Sequence, residues 1–180
     1  MPLSIKAAHF MHIVKSMFLS IPVRIKCAGK VKINCRQVWE SKVFFQVKGK
    51  SKLSIGKNMH TRRNVSIILN DGVLVIGNNV FMNNNVSITA LDRIEIGDGT
   101  TIANNVVIVD HDHDYKSGHG FLMSPVIIEK NVWIGANCTI LRGTHIGEGS
   151  VIAAGSVVKG EVPPQSVYYQ KRYSEIKSIM

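Results

Sequence analysis

An aliphatic residue returns every sixth position over much of the chain. Ile128, Ile134, Ile140, Ile146, Ile152 and Val158 keep this spacing without a miss, and Val132, Cys138, Thr144, Ser150 and Ser156, all small or β-branched, stand four residues after the first five of them. Gly135, Gly147 and Ala153 follow three of these anchors directly. An earlier block repeats the pattern with Ile76, Met82 and Ile88, then, after a two-residue slip, with Ile96, Ile102 and Ile108; Ile55-Gly56-Lys57-Asn58-Met59 opens the series. A period of six fits neither an amphipathic helix nor a long alternating strand. It describes a short strand and a tight turn, repeated. Three such units make a triangular coil of about eighteen residues, and stacked coils bury their anchors in a continuous column. Glycine and asparagine suit the corners because they tolerate positive φ, and Asn78-Asn79, Asn83-Asn84-Asn85, Asn104-Asn105 and Asn131 are spaced accordingly. The expected fold is all-β, a parallel β-helix over residues 53–165. Residues 1–52 form a basic segment with a short helix, and residues 166–180 a tail with a C-terminal helix.

The frame is lost between Ile108 and Val126, over a stretch that includes Asp110-His111-Asp112-His113-Asp114-Tyr115-Lys116. A regular solenoid expels such an insertion as a surface loop, here residues 110–125, and long loops of this kind often carry function. This one holds three of the seven histidines. Alternation along an extended stretch puts His111 and His113 on one side and the aspartates on the other. One side then offers two nitrogens, too few for a zinc site without distant help, so no metal is expected.

The N-terminal two dozen residues place Leu3, Ile5, Phe10, Val14, Met17, Phe18 and Ile21 apart from Lys6, His9, His12 and Lys15 at helical spacing, with a stop before Pro22. Charge interrupts this helix too often for a bilayer span. It either lies on a membrane surface or packs on the solenoid, and packing is the simpler expectation. Charge is lopsided: residues 1–70 hold fourteen Lys/Arg against the single acid Glu40, a net +13, while residues 71–180 hold eight against eleven acids, a net −3. A basic front end suits anionic lipid or acidic polysaccharide. Nucleic acid is not expected, because no aromatic RNA motif or finger spacing accompanies the charge. The scattered Cys27, Cys35 and Cys138 make neither a disulfide framework nor a zinc site, which suits a reducing, cytoplasmic setting.

Three segments carry a resemblance: Ile96-Gly97-Asp98-Gly99-Thr100, Val132-Trp133-Ile134-Gly135-Ala136-Asn137 and Ile152-Ala153-Ala154-Gly155-Ser156-Val157-Val158. With the hexads, they make the chain resemble the hexapeptide-repeat acyltransferases, and most of all the galactoside, maltose and polysaccharide O-acetyltransferase branch. The resemblance implies a left-handed coil, a homotrimer with sites shared between neighbours, and transfer of acetyl from acetyl-CoA to a carbohydrate hydroxyl. Aligned on Ile108, the family's catalytic histidine is His111, with His113 as the rival. An imidazole suits this chemistry because it takes the hydroxyl proton as the oxygen attacks the thioester and passes it to the departing thiol. An acidic neighbour or a backbone carbonyl should fix its tautomer, and Asp112 and Asp114 are both nearby in sequence. Asn83 matches the asparagine that holds the acceptor, with Asn85 beside it, and Asp92 stands nearest to an acid that contacts the sugar. For the donor, the resemblance implies backbone N–H groups of Ala136 and Ala154 along the CoA arm, Trp133 packed beside it, and Lys159 and Arg142 at its phosphates. The chain departs from the family at Lys159-Gly160-Glu161-Val162-Pro163, where the lysine comes one place early, and at Val167-Tyr168-Tyr169. Two alternatives stay open: an N-acetyltransferase on an amino sugar, and a non-catalytic scaffold.

Overall fold

The computed structural model describes residues 10, 11, 13–16, 21, 29–34, 36–41, 43–171 and 173–178. Twenty of the twenty-two strands among them form three parallel sheets of seven, seven and six strands, the faces of a left-handed triangular β-helix of about six turns. Successive strands occupy successive faces. Arg93–Ile96 lies on the first face, Thr101–Ile102 on the second and Val107–Val109 on the third. Each pairs in register with its counterpart in the next coil, Val126–Ile128, Trp133–Ile134 and Thr139–Ile140.

The anchors spaced by six therefore visit the three faces in turn. Ile55, Ile76, Ile96, Ile128 and Ile146 stack on one another along the first face, each at most 3% exposed. Burying an aliphatic side chain this fully contributes roughly 1.5–3 kcal/mol, and the column repeats on all three faces. The small residues four places on, Val132, Cys138, Thr144, Ser150 and Ser156, are also buried, because the chain turns inward there before the next strand.

Each corner needs a residue in the left-handed region. Asn58, Asn64, Asn79, Asn85, Asn105 and Asn137 supply it at φ between 57° and 60°. Asparagine also adds a side-chain ladder up the corner between the second and third faces. The Asn64 amide donates to Asn85 (3.2 Å), Asn85 to Asn105 (2.9 Å) and Asn105 to Asn137 (3.0 Å).

The boundaries differ from those expected. The coils begin at Val31 rather than residue 53: Val31–Ile33, Val38–Ser41 and Phe44–Lys48 pair with the next coil on the three faces. This first coil hides from the hexad search because its strands reach five residues and its corner holds a buried Gln37. That side chain donates to the Asn34 and Gly56 carbonyls (2.9 and 2.7 Å) and accepts from Met59 N–H (2.9 Å). At the other end Val167–Tyr168 is a last strand, and residues 169–171 and 173–178 carry no helix, against the expected C-terminal helix. Residues 173–178 are all exposed, and so short a segment does not sustain a helix without a face to pack against.

Residues 10, 11 and 13–16 are helical; the expected helix's remaining stretches at 1–9, 12 and 17–20 lie outside the described residues, as do Cys27 and Cys35. The fully buried Ser16 hydroxyl accepts from Trp39 N–H (2.6 Å). This contact satisfies one backbone donor at the lower edge of the first coil. Among the described residues no helix is long and apolar enough to cross a membrane.

Two predictions follow from the corners. Asn105→Val, which strains a positive φ and breaks two rungs of the ladder, should cost about 2 kcal/mol in denaturant unfolding, whereas Asn105→Gly should cost less than half of that. At another corner, the bond from His145 Nε2 (2.9 Å) and then the bond from Glu148 N–H (2.8 Å) hold the Glu129 carboxyl below its usual pKa. A carboxyl depressed in the folded state adds stability above its unfolded pKa and loses it as pH falls through the lower folded value. The thermal midpoint should therefore fall on acidification through and below the ordinary carboxylate range, less steeply in Glu129→Gln.

Candidate active site

The insertion leaves the prism at the corner between the third and first faces. His111–His113 pairs antiparallel with Phe121–Met123, so residues 110–125 form a short hairpin. Its tip is tied by Asp114, which accepts from Ser117 hydroxyl (2.7 Å) and from Lys116 and Ser117 N–H (3.0 and 3.3 Å). The Ser117 bonds, hydroxyl first, hold the Asp114 carboxyl below its usual pKa. His111 and His113 both pack on Phe121, at ring-centroid distances of 5.4 and 4.8 Å, so they share a side of the hairpin.

The acid that orients His111 is neither Asp112 nor Asp114. It is Asp110, whose Oδ1 lies 3.1 Å from His111 Nδ1. The strand alternation explains this. Ile108 points inward, Val109 outward, and Asp110 inward again, above Leu69 and Ala90 in a column of buried side chains. Asp110 is 0% exposed. A carboxylate there is tolerable only with its oxygens satisfied, and the preceding corner supplies Leu91 N–H (2.9 Å) and Asp92 N–H (2.8 Å). A carboxylate oxygen accepts, so this contact favours the neutral tautomer in which Nδ1 donates to Asp110 and Nε2 faces outward with its lone pair. The signal that could have found Asp110 is the period-two alternation counted from Ile108.

Asp112 instead holds Arg142 Nε (2.6 Å), so this arginine, expected at the CoA phosphates, pins the hairpin to the coil above. Both line a cavity of about 850 Å³ together with His113, Lys116, Leu122 and Lys159. Among the described residues no group of three or more histidine, cysteine or acidic side chains is placed to hold a metal ion. Cys138 is buried, its Sγ against the Ala153 carbonyl (3.2 Å).

The expected residues thus divide between two corners. Asp92, His111, His113, Arg142 and Lys159 gather, beside the unforeseen Asp110, at the corner between the third and first faces. Asn83, Asn85, Ala136 and Ala154 lie at the corner between the second and third faces, with Trp133 at the end of the second face. The third-face strand separates them by about 15 Å. Asn83 accepts from Asn84 N–H (2.9 Å), while the amide of Asn85 is a rung of the asparagine ladder and so serves the corner. In two lower coils an asparagine side chain caps the equivalent corner N–H, as Asn84 does for Arg63 and Asn83 for Asn84. Alanine cannot do this, and among the described residues no group caps the N–H of Ala136 or Ala154. Gly135 lets the coils close up beside them, since a Cβ there would meet Ala154 N at 2.6 Å. Trp133 is 54% exposed, and Val107 and Val157 stand exposed on the adjoining face. An apolar strip of this kind marks a contact surface.

Fold and corner chemistry define a hexapeptide β-helix with an inserted histidine hairpin. Residues 125–159 match the family model described as hexapeptide repeat of succinyl-transferase. The chain is 37% identical over 89 residues to the putative lipopolysaccharide biosynthesis O-acetyl transferase WbbJ of Escherichia coli K12, covering 42% of this chain and 45% of that one. It is 38% identical over 78 residues to the galactoside O-acetyltransferase of the same organism, covering 41% and 38%. The matched stretches thus span less than half the length of these relatives. Among solved structures, a mutant of AntD, an N-acyltransferase from Bacillus cereus, in complex with dTDP-4-amino-4,6-dideoxyglucose and coenzyme A, superposes with a TM-score of 0.67. It covers 87% of this chain and 88% of that one at 22% identity, a likeness of fold. Over these stretches the chain is similar to hexapeptide-repeat acyltransferases, with the family model confined to residues 125–159.

Asp110→Ala should strip the acceptors from two corner N–H groups and cost about 2 kcal/mol in stability. Asp110→Asn, which keeps one acceptor, should cost less and still free the His111 ring, a change visible in the imidazole NMR titration.

Proposed function

We propose that the protein transfers acetyl from acetyl-CoA to a sugar hydroxyl of a surface polysaccharide or its precursor, by direct attack without an acyl-enzyme. The observation that carries this reading is the His111–Asp110 couple at the one place where the prism wall is breached. A sugar hydroxyl is a poor nucleophile at neutral pH, and its proton must leave as it attacks. His111 Nε2 takes that proton while the hydroxyl oxygen bonds to the thioester carbonyl carbon, and Asp110 stabilises the resulting imidazolium. Collapse of the tetrahedral adduct breaks the carbon–sulfur bond, and the imidazolium returns the proton to the departing thiolate. The uncapped N–H groups of Ala136 and Ala154 suit the pantetheine amides and the developing oxyanion. Trp133 offers a wall for the arm, Lys159 a cation for its phosphates, and Asn83 an amide for the acceptor. The relatives include a lipopolysaccharide O-acetyltransferase and a galactoside O-acetyltransferase, which supports a carbohydrate acceptor. A cytoplasmic setting suits the CoA donor.

The separation of the two corners supports a homotrimer. One chain holds the histidine and the donor N–H groups about 15 Å apart across a face, and a cyclic neighbour brings one corner against the other.

His111→Ala should lower acetyl-CoA-dependent thiol release with a sugar acceptor by at least about a hundredfold at unchanged oligomer size. Full activity in that variant would remove His111 as the base. If no hydroxylated acceptor in a broad panel stimulated release but amino sugars did, the N-acetyltransferase alternative would hold; if neither did, the scaffold. Refolding His111→Ala together with Asn83→Ala should restore about one quarter of the sites in randomly mixed trimers, whereas sites contained within single chains would recover nothing.

A further inference from the structure

We propose that the base of the prism, built from the N-terminal helix and the first two coils, docks on an anionic lipid bilayer. Because the coils stack in chain order, the sequence's charge asymmetry becomes an axial one. Among the described residues, Lys15, Lys30, Lys32, Arg36, Lys48, Lys50, Lys52, Lys57, Arg62 and Arg63 gather at the base against the single acid Glu40, while acids outnumber bases in the coils above. Lys30, Lys32, Lys48, Lys50 and Lys52 are all exposed there, and Lys30, Lys32 and Lys52 line a shallow groove on the first face. Among the described residues none of these five lysines is in an ion pair. The negative groups nearby are already occupied. Glu40 is shared by Arg62 (3.3 Å) and His60 (3.5 Å), and Asp71 accepts from Lys50 N–H (2.8 Å).

The same end exposes apolar side chains. Phe10 and Met11 are 66% and 69% exposed, and Ile21 is 43% exposed. Phe10, Met11 and Val14 form an apolar groove beside Lys15, while Ser16, on the same helix, is fastened to the Trp39 backbone. The helix is thus anchored to the prism by one side and offers phenylalanine and methionine on another, next to a belt of unpaired lysines.

This combination selects the occupant. A dissolved polyanion would use the lysines and leave Phe10 and Met11 in water. A second copy joined base to base would press two strongly positive ends together. An anionic bilayer satisfies both, with lipid headgroups for the lysines and the interface for the apolar side chains. A cyclic trimer turns all three bases to one side, so three weak contacts act together. His111 sits in the fourth coil, three coil spacings or about 14 Å above the base. Taken with the acetyl-transfer reading, docking would hold the active corner over the membrane surface, in reach of a saccharide on a lipid carrier.

The test is co-sedimentation of the full chain with vesicles of phosphatidylglycerol and phosphatidylcholine, against pure phosphatidylcholine, at low salt and at roughly 0.5 M salt. Wild type should bind the anionic vesicles and release with salt. Lys32→Glu/Lys50→Glu/Lys52→Glu should bind at least tenfold more weakly, since each lysine near such a surface is worth about fivefold. Phe10→Ser/Met11→Ser should weaken binding to the anionic vesicles at low salt and lower the salt concentration at which the protein is released. Each variant is compared with wild type in thermal midpoint and oligomer size, and Lys50→Gln/Lys52→Gln, a milder change, should still weaken binding several-fold.

Equal binding to neutral vesicles, or an unchanged affinity in both lysine variants, would overturn the proposal. Retention on an acidic polysaccharide without vesicle binding would overturn it in favour of a glycan. Binding is read without acetyl-CoA or acceptor. An inactive protein that docks would therefore sink only the acetyl-transfer reading, and an active one that does not dock would sink only this one.

Discussion

Backbone pairing between coils is the constraint from which the rest of this structure follows. Each inner strand lends its amides and carbonyls to the coil before and the coil after, so consecutive coils must stay in register on three faces at once. That demand fixes which positions point inward and forces each corner into a narrow range of backbone angles. It also explains why aliphatic anchors, asparagine corners and small inward residues recur together. A change in any of them alters the fit of two neighbouring coils.

The functional corner is a controlled violation of that regularity. Asp110 occupies an inward slot that Leu69 and Ala90 fill in lower coils, and a buried carboxylate in an apolar column has no merit as packing. Its oxygens are satisfied by the corner of the preceding coil and by His111, so the group ties the base of the hairpin to the solenoid while orienting the imidazole. The salt bridge from Asp112 to Arg142 does the same from the coil on the other side. The histidine is held from above and below by charged contacts whose partners belong to the rigid prism.

Much of this was legible in the residues, for physical reasons that also explain what was not. The six-residue period is a direct imprint of coil geometry, so the column from Ile128 to Val158 could be read without a structure, as could the insertion that interrupts it. The first coil could not, because Gln37 and Trp39 stand inside it and its longer strands blur the spacing. His111 came from a resemblance aligned on Ile108. The partner acid was misassigned to Asp112 and Asp114 because proximity along the chain says nothing about inward or outward facing; alternation does, and it selects Asp110. Arg142 was taken for a phosphate ligand on charge alone, whereas its Nε is drawn to Asp112. Asn85 was grouped with Asn83 by adjacency, although its positive φ and its place in the ladder make it a corner residue.

The hairpin leaves and rejoins the prism at a single corner, and the strands on either side of it stack as though nothing had been inserted, Val107 over Thr139 and Ile96 over Ile128. Its length and composition are therefore uncoupled from the register that stabilises the scaffold. A lineage of such proteins could lengthen, shorten or rewrite this one excursion between Asp110 and Val126 and acquire a different clientele, while the column of isoleucines beneath went on folding as before.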